Sequence, residues 1–279
     1  MNLPPLDVPA LLRQYGLHPD KRLGQNFLTD PTALTKVAEA ASITKEDTVL
    51  EIGPGIGNLT RYLASQAGKV IAIELDRALI APLHQVLKPF PNVDIVQCDI
   101  LDINPGRLIH ESGYLVVANI PYYITSAVIR HLLESDTRPS RIVLTVQYEV
   151  ARRICAEPGD LSLLALSAQV YGQPRILAKI PAGAFYPAPQ VDSAILRLDL
   201  YDSPVIPEDQ LDTFFRLIKA GFAQKRKKLR NSLAAGLSEQ TDKIEAVLRK
   251  AGIDPDRRAE TLGLDEWREF LDVYNQSEG

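Results

Sequence analysis

Short apolar runs and helix-length amphipathic stretches alternate along the first 200 residues of the chain. Val49–Ile52, Lys69–Ile73, Val93–Gln97, Tyr114–Ala118 and Arg141–Gln147 are short and rich in Val, Ile and Leu, as buried strands are. Between them, Asn58–Gln66, Arg77–Leu87 and Thr125–Glu134 carry apolar residues at helical spacing. This alternation predicts a parallel sheet covered by helices on both faces. Upstream, Leu6, Ala10, Leu11, Leu12 and Tyr15 outline a short amphipathic helix within residues 5–18, and Asp30-Pro31 predicts a helix running to about Ala41, with Asp30 as N-cap and Pro31 at the first helical position. The intervening Lys21-Arg22-Leu23-Gly24-Gln25-Asn26-Phe27-Leu28 is too polar and glycine-broken for a core element, although it holds Phe27 and Leu28. Downstream, Arg175–Ile180 and Ser193–Leu200 read as two closing strands. Two prolines and Ser203 mark Tyr201–Pro207 as a linker. Beyond it, Glu208–Gly221, Lys225–Ala235, Lys243–Ala251 and Asp265–Tyr274 read as helices. The expected organisation is an α/β domain over residues 1–202 and a small all-α domain over residues 203–279. No repeat and no low-complexity segment interrupts it.

The sharpest local signal is Val49-Leu50-Glu51-Ile52-Gly53-Pro54-Gly55-Ile56-Gly57-Asn58. A buried strand ends in three glycines spaced so that the backbone can turn sharply beside a ligand, and a helix starts near Asn58 with its free N–H groups facing that turn. The spacing is G-x-G-x-G and not the G-x-G-x-x-G of dinucleotide-binding folds, which argues against a nicotinamide-dependent oxidoreductase. The pattern resembles instead the first motif of S-adenosylmethionine (SAM)-dependent methyltransferases, whose ligand carries an amino acid at this turn. In an open α/β sheet, ligands sit outside the carboxyl ends of the strands. Those ends carry Glu51 and Gly53, then Glu74, then Asp99, then Asn119-Ile120-Pro121-Tyr122. Glu74 lies 21 residues beyond Gly53, the distance at which an acid accepts hydrogen bonds from ribose hydroxyls. Singly, each of these residues is ordinary turn chemistry; four polar strand ends in register with a glycine turn point to a binding site.

Asn-Ile-Pro-Tyr narrows the chemistry. The exocyclic amine of adenine is a poor nucleophile because its lone pair is delocalised into the ring. Asn119 Oδ1 and the Pro121 carbonyl can accept its two N–H groups and favour a pyramidal nitrogen as charge develops, while Tyr122 offers a face for an unstacked base. Phe185 or Tyr186, in Ala184-Phe185-Tyr186-Pro187-Ala188-Pro189, is a second aromatic candidate to sandwich that base. After one methylation the amine keeps a single N–H, so stacking must hold the product for a second transfer. Tyr122→Ala is accordingly expected to slow the second transfer more than the first; equal slowing of both in single-turnover mass spectrometry would refute this.

Charge refines the picture. The 279 residues are 46 % hydrophobic and carry a formal charge of −4, yet Arg216 to Arg230 holds seven basic residues and no acid. Lys225, Arg226, Lys227, Lys228 and Arg230 form an uncompensated cluster suited to a phosphate backbone. Two cysteines, Cys98 and Cys155, and four histidines without close spacing give no metal-site or disulfide pattern. No signal-like or membrane-length apolar run occurs, so a cytoplasmic protein, monomeric by default, is expected.

Taken together these residues resemble the ribosomal RNA adenine dimethyltransferases, specifically the KsgA type acting on the small subunit. The resemblance runs from Leu23-Gly24-Gln25-Asn26-Phe27-Leu28 to about Arg258–Trp267. It takes in Glu51–Gly55, Asn119–Ser126, Phe185-Tyr186-Pro187 with Val191–Ala194, and Gly221-Phe222 with Lys225-Arg226-Lys227 and Leu229. It implies a Rossmann-like SAM-dependent methyltransferase sheet with a helical C-terminal domain. It implies SAM contacts at Asn26, Leu28, Gly53, Gly55, Glu74, Asp99 and Asn119, and a target-adenine site from Asn119, Pro121, Tyr122 and Phe185. The implied product is N6,N6-dimethyladenosine at two adjacent adenosines in a hairpin loop near the 3′ end of small-subunit rRNA, free or in a pre-ribosomal particle. Two features depart from the family: Tyr148 stands where lysine is usual, and the loop after Pro158-Gly159 is short. Two rivals remain: a large-subunit methyltransferase of the antibiotic-resistance type, and a non-enzymatic RNA-binding assembly or transcription factor on the same scaffold.

Overall fold

The structure, a computed structural model, describes residues 3–121 and 124–278. In chain order the first elements are α1 (Val8–Gln14), β1 (Phe27–Leu28), α2 (Pro31–Ala41), β2 (Thr48–Ile52), α3 (Asn58–Gln66), β3 (Lys69–Glu74), α4 (Ile80–Leu87) and β4 (Val93–Gln97). There follow β5 (Leu115–Asn119), α5 (Thr125–Leu133), β6 (Arg141–Gln147), α6 (Tyr148–Ile154), α7 (Leu163–Gln169), β7 (Gly172–Ile180), β8 (Phe185–Tyr186) and β9 (Ser193–Leu200). The last four helices are α8 (Leu211–Phe222), α9 (Leu229–Leu237), α10 (Thr241–Lys250) and α11 (Leu264–Glu278). The chain forms two compact units. One comprises residues 1–151 and 174–200, the other residues 152–173 and 201–279.

The first unit is built on a seven-stranded sheet of order β4-β3-β2-β5-β6-β9-β7. β2 to β6 are parallel, whereas β9 runs antiparallel to β6, with Gln147 opposite Ser193. The chain therefore steps one way from β2 to β4 and the other way from β5 to β6. Right-handed crossovers then place α3 and α5 on opposite faces. On one face Val49, Val70, Val117 and Val143 pack with Leu34, Val37, Leu59 and Leu63 of α2 and α3. The alternate residues Leu50, Ile71, Val116 and Ile142 are equally buried, as a sheet covered on both faces requires. Asp30 caps α2 through a 2.7 Å hydrogen bond from Ala33 N, as its sequence predicts.

Three features escape the sequence. Phe27-Leu28 is a strand: it pairs with β8, with Phe27 opposite Tyr186 and Leu28 opposite Phe185, and both of its side chains are buried. The segment thus acquires a core role from a partner more than 150 residues away. α6 and α7 fill the stretch between β6 and β7; Ser162 caps α7 through Ala165 N at 3.2 Å. Residues 152–173, which hold α7, cluster with the C-terminal helices and not with the sheet, unlike the single cut expected after residue 202.

In the second unit Trp267, Phe214, Phe270 and Tyr274 form the buried centre, with Phe270 edge-on to Trp267 at 6.1 Å between centroids. The short loop fits this unit directly: Gly159 N and Leu161 N both donate to Glu260 O, at 2.9 and 3.2 Å. α8 and α9 touch backbone to backbone at Gly236, where an added Cβ would stand 2.6 Å from Ala220 Cβ. Gly236→Ala is therefore expected to destabilise the protein by about 1–3 kcal/mol, overpacking outweighing the gain in helix propensity. Gly183→Ala, with nothing within 4 Å, provides the near-neutral reference. Denaturant unfolding of the two variants is the check. Among the described residues, no helix is long and apolar enough to cross a membrane.

Candidate functional site

Parallel strands β2, β3, β4 and β5 bring their carboxyl ends to one edge of the sheet, and there a cavity opens. Gly53, Gly55 and Gly57 all hold positive φ (69°, 60° and 89°), a conformation that residues with a Cβ adopt at a cost. Gly55 has a second reason to be glycine. A Cβ there would lie 2.9 Å from Phe27 Cε1, so the strand formed by residues 27–28 seats its ring directly on the turn.

Glu74 ends β3 with its carboxylate fixed from two sides: Gly55 N donates to Oε2 at 2.9 Å and Asp76 N to Oε1 at 2.7 Å. Burial pushes its pKa up to about 6, against these two backbone donors, which hold it down. A carboxylate held this way, next to an open cavity, is preorganised to accept hydrogen bonds from a diol. Behind it Glu51 is 1 % exposed and its carboxyl is pushed up to about 8, chiefly by burial, with the Glu74 charge adding to the effect. The Thr60 hydroxyl opposes the shift from nearby but outside hydrogen-bond geometry, since neither Glu51 Oε2 nor Thr60 Oγ1 has a partner.

Asp99, beyond β4, uses Oδ1 to cap Leu101 N at 2.9 Å, and Cys98 beside it lines the same cavity with its thiol pKa raised by burial. At the end of β5, Asn119 Nδ2 donates to the Asn26 carbonyl at 3.0 Å. That bond restrains the amide and commits Nδ2 as donor, which leaves Oδ1 as the acceptor end of a residue that lines the cavity, as Pro121 does. The Pro121 carbonyl accepts from Ile124 N at 3.2 Å, which uses one of its two lone pairs. Leu75, Leu79, Ile100 and Ile124 give the cavity its apolar walls. The arrangement offers apolar walls, a carboxylate suited to a diol, a glycine turn, and two acceptor-bearing residues, Asn119 and Pro121, lining one cavity.

The structure thus brings together Asn26, Gly53, Gly55, Glu74, Asp99, Asn119 and Pro121 in one cavity. Tyr122 lies outside the described residues. Leu28 and Phe185 do not line the cavity. Both are buried in the core cluster, with Leu28 O accepting from Asn58 Nδ2 at 2.8 Å; Tyr186, beside Phe185, is 38 % exposed. Sequence reasoning missed Gln25, Phe27 and Cys98, which also line the cavity. The clue for the first two was the glycine-broken segment itself, set aside as too polar for a core element.

The basic cluster lies in the second unit. Lys225, Arg226 and Lys227 are exposed in the turn before α9 and form no ion pair among the described residues. Lys228 and Arg230, expected to be uncompensated, are not. Lys228 pairs with Asp256 at 2.7 Å, and Arg230 with Glu245 at 2.8 Å and Asp256 at 3.1 Å. Their partners come from sequence positions too distant for charge counting to find. The helix expected from Lys225 starts at Leu229, because a run of cations at a helix N-terminus opposes the macrodipole. No cluster of three or more His, Cys, Asp or Glu suited to a metal occurs among the described residues.

Residues 17–276 match the ribosomal RNA adenine dimethylase family. A ribosomal RNA small subunit methyltransferase A of Dehalococcoides mccartyi is 43 % identical over 278 residues, covering 97 % of this chain and 96 % of the relative. That of Moorella thermoacetica is 45 % identical over 269 residues, covering 92 % and 93 %. Among solved structures, a dimethyladenosine transferase from Plasmodium falciparum superposes with a TM-score of 0.78 at 25 % identity, covering 90 % of this chain and 98 % of that one. The 23S rRNA methyltransferase ErmE gives 0.73 at 29 % identity, covering 90 % and 100 %.

Proposed function

This chain belongs to the ribosomal RNA adenine dimethylase family, and from that premise we propose that it transfers methyl groups from SAM to N6 of two adjacent adenosines in a hairpin loop near the 3′ end of small-subunit rRNA. We place it in the cytoplasm, as a monomer acting on the small subunit or its precursor. The residues fit the donor. The turn at Gly53 and Gly55 would take its amino-acid end, Glu74 would accept from the ribose, and Asp99 with Leu75 and Ile100 would hold the base. Bound there, SAM supplies an electrophilic methyl group, and the reaction as proposed uses no metal.

The chain's own part is aim and electrostatics. Asn119 Oδ1 and Pro121 O accept the two N–H groups of the target amine and favour the pyramidal nitrogen whose lone pair attacks. Tyr122 supplies stacking surface, with the exposed Tyr186 and not the core residue Phe185 as the second aromatic candidate. No strong base is required before attack, since the proton leaves after transfer. The observation that carries this reading is Asn119: it lines the cavity that Glu74 and the glycine turn share, and Asn26 O holds its Nδ2, which keeps Oδ1 for the role of acceptor.

The test uses purified protein, tritiated SAM and small subunits lacking adenine dimethylation, with large subunits as control. Label recovered as dimethyladenosine in small-subunit RNA is the expected result. Label only on large-subunit RNA would make this a resistance-type enzyme. No transfer to either would leave a non-enzymatic RNA-binding protein.

The exposed cations add a graded prediction. Replacing Lys225, Arg226 and Lys227 together with alanine is expected to weaken RNA binding and to reduce the slope of log K against log salt by about 2–3, at roughly 0.7–0.9 per phosphate contact. Lys228→Ala should change that slope less, since Asp256 already neutralises it. Filter binding across a salt series measures both.

A further inference from the structure

We propose that Gln25 is a positioning residue for methyl transfer, clasping the segment that orients Asn119 to the end of β3 that presents Glu74; this rests on the methyltransferase reading above. The Gln25 side chain is engaged at both ends: Nε2 donates to Asp76 Oδ2 at 2.7 Å and Oε1 accepts from Asp20 N at 2.8 Å. Gln25 N also donates to Asp20 O at 3.2 Å, closing the loop around Gly24, whose φ is +62°.

On one side the clasp leads to the cofactor end. Asp76 N donates to Glu74 Oε1 at 2.7 Å, while Asp76 Oδ1 is occupied by Ala78 N at 2.9 Å. On the other side it leads to the target end. The next residue, Asn26, offers the carbonyl that receives Asn119 Nδ2, and its own Nδ2 donates to Gly24 O at 3.1 Å. Hydrogen bonds therefore link Glu74 to Asp76 and Asp76 to Gln25, the chain itself carries Gln25 to Asn26, and a last hydrogen bond reaches Asn119; Glu74, Gln25, Asn26 and Asn119 line a single cavity.

The amide is suited to this place because it must donate to a carboxylate and accept from a backbone N–H at once. The downstream end of the segment is tied independently, through the strand pair of β1 and β8 and the 2.8 Å bond from Thr29 N to Ala184 O. Without the clasp the Asn26 carbonyl keeps its place in the chain but loses its fixed aim. The Asn119 amide is then free to turn, and the acceptor is presented to the target amine for only part of the time.

The arrangement can be run in reverse. In the double variant Gln25→Glu with Asp76→Asn, donor and acceptor exchange across the same gap. The new carboxylate still accepts from Asp20 N, and the new amide at 76 still accepts from Ala78 N while donating to position 25. Gln25→Glu alone sets two carboxylates face to face.

Single-turnover methylation of small-subunit RNA at saturating SAM is measured for the wild type, both single variants and the double variant, with SAM affinity followed by calorimetry and folding by thermal unfolding. Gln25→Glu is expected to lower the transfer rate about 10–100-fold, as loss of a hydrogen bond to a charged group does, with SAM affinity changed by much less. The double variant is expected to recover most of that loss. A double variant no faster than Gln25→Glu, or a Gln25→Glu rate equal to wild type, overturns the clasp. A loss confined to the unfolding temperature, with the rate of folded protein unchanged, makes Gln25 structural only and also overturns it. A wild type that binds SAM but methylates neither subunit overturns the functional reading instead.

Discussion

Asn119→Ala is expected to lower methyl transfer to small-subunit RNA by about 10²–10³-fold, the usual cost of removing one preorganised group that meets charge developing in a transition state. Asn119 is the last residue of β5, a strand flanked on both sides by others, and is itself only half-buried and lines the cavity. Truncation therefore opens no core void, and the buried residues Leu115–Ala118 stay packed. Two things are lost together. The acceptor Oδ1 no longer meets the target N–H, and Asn26 O loses its donor. Pro121 O remains and can still accept one N–H. A residual rate is thus expected, falling further behind in the first transfer, when the amine carries two N–H groups, than in the second. Single-turnover kinetics with mass-spectrometric separation of mono- and dimethyladenosine reads this out. A rate within fivefold of wild type, with normal folding, would remove Asn119 from the chemistry and leave the target amine to be oriented by other groups.

Glu51→Gln is expected to flatten the pH dependence of stability and to make the protein more stable at pH 8. Glu51 ionises near pH 4.5 in the unfolded chain but only near 8 when folded, because burial in β2 excludes water from its carboxyl. Between these values the folded state binds a proton that the unfolded state has released. Stability from this group is thus complete below about pH 4.5 and falls as pH rises toward 8, at up to about 1.4 kcal/mol per unit. Glu74, raised to about 6, adds a smaller slope of the same sign between about 4.5 and 6. Glutamine keeps the shape, removes the ionisation, and places an N–H₂ near the unpartnered Thr60 Oγ1. Urea unfolding of wild type and variant from pH 5 to 8 should show the curves diverging by several kcal/mol at the upper end, on the order of the full shift. Parallel curves would mean that Glu51 ionises normally inside the fold.

Much of this was legible in the chain. The strand β4, the helix α3 and the strands β6 and β9 lie where the apolar periodicity sets them, to the residue. Repeated burial of one face or both leaves a local record in the chain, and glycine at 53, 55 and 57 records a backbone path that other residues adopt only with strain. Strand ends then follow from strand positions, which is why Glu74, Asp99 and Asn119 could be named in advance as neighbours.

What the sequence could not decide was everything that depends on a distant partner. Phe27-Leu28 becomes a strand only because Phe185-Tyr186 pairs with it, and the same pairing buries Phe185 in the core, away from the cavity. Lys228 and Arg230 are neutralised by Asp256 and Glu245, which local charge counting does not see. Residues 152–173 join the C-terminal helices, although a linear cut leaves them with the sheet. The sequence alone determined the elements, the glycine turn and the types of group at the strand ends, because these follow from backbone geometry and local periodicity. The tertiary structure alone decided which atoms of those groups are already engaged. The Asn119 amide spends its donor on Asn26, Glu74 spends both oxygens on backbone N–H groups, and Gln25 joins the two, since only folding sets such distances.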